Sequence, residues 1–174
     1  MKSRLVKYIS GFFLTICLVA FTTPASAAIS NQDSQWINTI NIDKPAVDKD
    51  ISSLTAGVDP GSIAPANLEK LNQNYRTYSS ALSADAQRAM DHSEAIVVSE
   101  ELLPTKTAYN KAMNNAYWAG FYGTQFVTDS LSGDGQKALE HLNKSRNNVA
   151  AYTTNMNEMQ REYAIYYRTI ETNN

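Results

Sequence analysis

The chain has 174 residues, 15 Lys and Arg against 17 Asp and Glu, a formal net charge of −2 and a single cysteine. That balance excludes electrostatic binding to nucleic acid, because phosphate contacts need clustered Lys and Arg and no basic run or basic face is present. One cysteine also excludes an internal disulfide and a haem held through Cys-x-x-Cys-His, so stability must come from packing.

Residues 1–27 read as a signal peptide. Lys2, Arg4 and Lys7 form a positive n-region, Ile9 to Phe21 an apolar h-region, and Pro24 followed by Ala25-Ser26-Ala27 a small-residue cleavage site. The apolar run is short of the ~20 residues that span a bilayer. Cys17 lies inside this run after Ile16, where lipid attachment would need a small residue. The expectation is a secreted or periplasmic protein cleaved after Ala27. Taking those 27 residues from 174 leaves 147, with 12 basic residues against 17 acidic ones, a net charge of −5, and no cysteine. That length suffices for one domain with a real core.

Within residues 28–174 the four prolines Pro45, Pro60, Pro65 and Pro104 fall where an apolar pattern starts, stops or shifts. Residues 28–63 predict short N-terminal helices and a turn-rich connection. Trp36, Ile37, Ile40, Val47, Ile51 and Leu54 supply the apolar positions, Pro45 interrupts them to give two helices or one kinked helix, and Asp59-Pro60-Gly61-Ser62 marks the turn. A helix is predicted over 64–103, starting beside Pro65 and carrying Leu68, Leu71, Tyr75, Tyr78 and Leu82 at three-four spacing. Its second half is more polar, and Ser83 offers a cap for a fresh helix there. Ala95-Ile96-Val97-Val98 is β-prone but lies inside this pattern.

The helix predicted over 105–131, after a kink or corner at Pro104, is apolar on nearly every side. Large rings alternate with a strip of Ala112, Ala116, Gly120 and Gly123, and two internal glycines weaken an isolated helix by ~1 kcal/mol each. Close approach of a neighbouring helix is the expected compensation. Gly133-Asp134-Gly135 opens the last helix, over 135–171. There Leu142, Ser145, Val149, Tyr152, Met156, Met159, Tyr163, Tyr166 and Ile170 form one stripe in which only Ser145 is polar. Such a stripe must be covered by other segments, which predicts an all-α fold: an antiparallel bundle of about four main helices, two of them long. Regular flanking charges of the kind that pair extended coiled coils are absent, so a self-contained monomer is expected.

No reactive set assembles on paper. His92 and His141 lack the Glu-x-x-His spacing of helix-borne metal sites, and no metal or cofactor is assigned. Ser130 to Gly135 has the oxygen side chains of a calcium loop, but position twelve is His141, where a bidentate glutamate belongs. There is no Gly-x-Ser-x-Gly elbow and no activated nucleophile. The aromatic run from Tyr117 to Phe126 is the distinctive feature. A helix apolar all round is normally enclosed by others, whereas exposure would turn Tyr117, Trp118, Phe121 and Tyr122 toward a partner or a membrane interface. The reading that follows is an exported, non-catalytic bundle that binds a protein or surface component outside the cytoplasm. The alternatives are a small enzyme or ligand carrier with a pocket near Tyr117, Trp118 and His92, and a membrane-active bundle that exposes its aromatic helix.

Overall fold

The computed structural model describes residues 29–56 and 68–172, with the backbone alone for 68–71. Its elements are α1 (Asn31–Ala56), α2 (Leu68–Glu94), α3 (Leu103–Ser132) and α4 (Gly135–Thr172), and no strand occurs among the described residues. The leader and the turn expected around Pro60 lie outside them. Side-chain ties fix the directions. Asp43 meets His92 in α2, Ser93 meets Asn110 in α3, Asp129 meets His141 in α4, and Asp48 meets Tyr152, so each helix runs antiparallel to the next. The result is an up-down-up-down all-α bundle with its core on the shared axis.

The last-helix stripe behaves as its spacing requires. Ser145, Tyr152, Met156, Met159, Tyr163 and Tyr166 are buried, while Leu142, Val149 and Ile170 pack half-buried on the core. Its polar member is paired, the Ser145 hydroxyl donating to the Ala119 carbonyl at 2.7 Å. Asp134 starts α4 by accepting the Lys137 N–H at 3.1 Å, and Gly133, at φ 82°, closes α3 in the left-handed region. The residues that resemble a calcium loop therefore form the cap between two helices.

The alternatives left open at Pro45 and Ser83 both resolve to unbroken helices, and one boundary, the end of α2, differs from the periodic pattern. α1 is a single helix through Pro45, which sits on the solvent face near the exposed Asn41, so the carbonyl that loses its amide partner there is open to water. Ser83 does not break α2; its hydroxyl reaches across to the Tyr117 carbonyl at 3.0 Å. Instead of running to Leu103, α2 ends at Glu94, and the β-prone stretch from Ala95 is the connection. Branched side chains there lose rotamer freedom in a helix, and tertiary partners take the released backbone groups. Asp33 accepts the Ser99 N–H at 2.8 Å, and the Lys106 ammonium donates to the Ile96 carbonyl. Pro104 then falls in the first turn of α3, where its missing N–H costs nothing.

α1 joins the bundle through polar contacts as well as Trp36, Ile40, Val47 and Ile51. Asp33 accepts from the Tyr166 hydroxyl at 3.0 Å, and Asp48 from the Tyr152 hydroxyl at 2.5 Å and from Lys44. Burial, with Asp48 alongside, holds the Tyr152 phenol well above its ordinary range, so it stays a donor. Tyr152→Phe leaves the buried Asp48 carboxylate one donor short and is expected to cost about 2 kcal/mol, read as a lower urea midpoint with an unchanged slope.

Candidate aromatic binding face

α3 sorts its residues by size around the helix. Ala116, Gly120, Gly123 and Val127 are buried, and the two glycines lie against Ser79 and Ser83 of α2. Ala108, Tyr109, Ala112, Met113 and Ala119 fill the interior. With small residues against α2, the large rings are left to the outside. Positions 117, 121 and 118, 122 are two i, i+4 pairs on neighbouring ridges, so the four rings share one face.

Those rings touch in sequence. Trp118 meets Tyr117 and Phe121 edge to face, at 5.3 Å in both cases, and lies 5.7 Å from Tyr122 at a 30° tilt. Phe121 and Tyr122 are 5.5 Å apart at 77°. These are the offset and T-shaped geometries that ring quadrupoles favour. Tyr117 and Tyr122 are half-buried, whereas Trp118 is 38% and Phe121 37% exposed. The expectation that a helix apolar all round is enclosed thus fails for this face, because α2 and α4 cover only part of α3.

The face continues onto α4. His141 stacks on Tyr122 with centroids 5.8 Å apart at 19°, and the Lys144 ammonium lies 5.4 Å from the same ring. His141 Nδ1 is 2.6 Å from Asp129 Oδ2; a carboxylate only accepts, so that nitrogen carries the proton. Lys144 donates to Glu140 at 2.6 Å, a bond that raises the lysine and lowers the glutamate from their ordinary ranges. Lys144 at this edge therefore has an opposite charge beside it and Asp129 a hydrogen-bond partner, and the face presents aromatic surface with a paired rim.

The structure brings together all four aromatic residues singled out by sequence. It does not bring His92 to them. His92 turns toward α1, with Nδ1 2.9 Å from Asp43 Oδ2, whereas Tyr117 meets α2 at Ser83, more than two turns away. His92 therefore stands apart from Tyr117 and Trp118. A shallow groove of about 430 Å³ lies elsewhere, between the start of α3 and α4, lined by Leu103, Pro104, Lys111, Glu158 and Glu162 among others.

The contribution of Asp129, His141 and Lys144 went unseen in the sequence, though a signal existed. In a hairpin turning at Gly133 to Gly135, Asp129 and His141 stand six residues either side of Gly135, which sets them opposite each other. Among the described residues no group of three or more His, Cys, Asp and Glu is placed to hold a metal, and no helix is long and apolar enough to cross a membrane. Comparison with protein-family models, with characterised proteins and with solved structures gives no match, so the face is read from its own geometry.

Proposed function

We propose that the protein is a non-catalytic binding module whose contact surface is the aromatic face of α3, and that it meets its partner, a protein or surface component, outside the cytoplasm. One observation carries the reading: Trp118 and Phe121 stand exposed at the centre of a four-ring cluster on a rigid helix. Aromatic anchors of this kind give large contact area at low entropic cost, and in interfaces they carry most of the energy. The leader-like residues 1–27 support the location. Pairing of Lys144 with Glu140 at the rim argues against attraction to an anionic lipid surface.

The test uses the mature chain with a photo-crosslinking residue at position 118, exposed to the exported fraction or to the surface of the producing cell. A discrete crosslinked partner is expected. Trp118→Ala with Phe121→Ala should weaken its binding by at least ~30-fold, as for two anchor residues, while stability changes by about 1 kcal/mol. Absence of any partner, or binding indifferent to the double substitution, would overturn the proposal. Co-flotation of the wild type with neutral liposomes, lost in the double variant, would replace the partner by a membrane.

A further inference from the structure

The outward side of α3 carries a second feature in line with the rings. Leu103, Thr107, Lys111, Asn114, Trp118 and Phe121 recur at three-four spacing, and all of them are exposed. The opposite side of the helix packs on α2 and α4, and no described helix covers this stripe. It is apolar at both ends. Leu103 is 52% exposed, more than either Trp118 or Phe121. Leu103 and Phe121 are about five helical turns apart, so they point the same way across about 27 Å.

α4 forms a wall along the stripe. At the Gly133 end His141 and Lys144 flank Tyr122. At the other end Glu158 and Glu162 close the groove of about 430 Å³ whose α3 side includes Leu103, Pro104 and Lys111. Groove and rings are thus two stretches of a single seam. Its charges are not equally satisfied. Arg161 donates to Glu162 at 2.8 Å and lies 3.8 Å from Glu158. Lys111 and Glu100 both line the groove, and neither side chain has an ion pair or a hydrogen bond among the described residues.

We propose, resting on the aromatic-face reading above, that the α3–α4 seam seats an amphipathic helix of a partner protein. That helix is about five turns long, sets its apolar stripe on Leu103 and on the rings around Trp118, and places an acid against Lys111. Helices laid in grooves are held by anchors three and four residues apart, the spacing the stripe itself displays. No strand occurs among the described residues, so they offer no sheet edge for an extended peptide to join. A neutral glycan or an acyl chain covering the seam would take the Lys111 ammonium and the Glu100 carboxylate from water with nothing in return. A polypeptide brings both an acid and a base.

The probe is a displayed library of peptides of about 18 residues, with leucines fixed at three-four spacing and the flanking positions random, panned against the mature chain. Selected peptides are expected to carry Asp or Glu on one flank and to gain helical circular dichroism on binding. They should bind Lys111→Glu and Thr107→Arg at least ~10-fold more weakly than wild type. Both positions are exposed, so thermal melts of the two variants should match wild type. Peptides selected against Lys111→Glu should exchange the acid for Lys or Arg. Absence of binders, binders that stay unfolded, or binders indifferent to both substitutions would overturn the helix seat. A partner crosslinked through position 118 but not through position 107 removes the seam and leaves the aromatic face; no crosslink through either removes both.

Discussion

Replacing Trp36 by alanine is expected to lower stability by about 4 kcal/mol, the largest loss from any single change considered. The indole is wholly buried, meets Tyr109 edge to face at 5.7 Å, and donates from Nε1 to the Ser93 hydroxyl at 2.9 Å. Ser93 in turn donates to Asn110 Oδ1 at 2.6 Å, so one chain of contacts spans α1, α2 and α3. Truncation leaves a cavity and strips an acceptor of its donor at once. For a chain of this size the melting temperature should fall by roughly 12 °C. Trp36→Phe fills most of the cavity but still orphans Ser93, and should cost about 2 kcal/mol. A thermal melt of the alanine variant within 3 °C of wild type would show that the three-helix junction does not depend on the indole.

The second large effect concerns the glycines of α3. Alanine at position 120 would place its methyl within 2.8 Å of the Ser83 backbone nitrogen and closer still to the Ser79 carbonyl oxygen. Both are backbone atoms of α2, so the whole helix must shift. Overpacking of this kind costs up to ~3 kcal/mol, against a gain of ~1 kcal/mol in helix propensity, for a net loss of about 2 kcal/mol. At Gly123 the obstruction is the Ser79 hydroxyl, a side-chain atom whose oxygen has no hydrogen-bond partner among the described residues. Gly123→Ala should therefore be restored by Ser79→Ala, and Gly120→Ala should not. Urea midpoints of the two double-variant cycles decide it; rescue of Gly120→Ala by Ser79→Ala would mean that the helices can separate freely.

The bundle was legible because its evidence is periodic. The stripe from Leu142 to Ile170 and the small strip of Ala112, Ala116, Gly120 and Gly123 each repeat at helical spacing, and each lies against a neighbour. What periodicity misses is the effect of single tertiary bonds. The early end of α2 depends on Asp33 and Lys106, which are 66 and 10 residues from the backbone groups they satisfy. Nor does any periodic signal mark Asp33 and Asp48 as buried, since the tyrosines that donate to them come from a helix more than 100 residues away. For the binding face, sequence named the four rings but favoured their enclosure. Apolar content alone does not say how many neighbours a helix has, and α3 has small residues on the sides that α2 and α4 occupy.

Asp33 also fixes how the molecule is presented. By tying the start of α1 to Ser99 and to Tyr166, it sets residue 29 at the end of the cylinder far from the Gly133 corner. At 1.5 Å per residue the tryptophan surface then stands about 30 Å along from that point. A support, dye or fusion joined ahead of Ile29 would hold the molecule by one tip and leave the rings unobstructed, whereas one inserted at the Gly133 corner would crowd them.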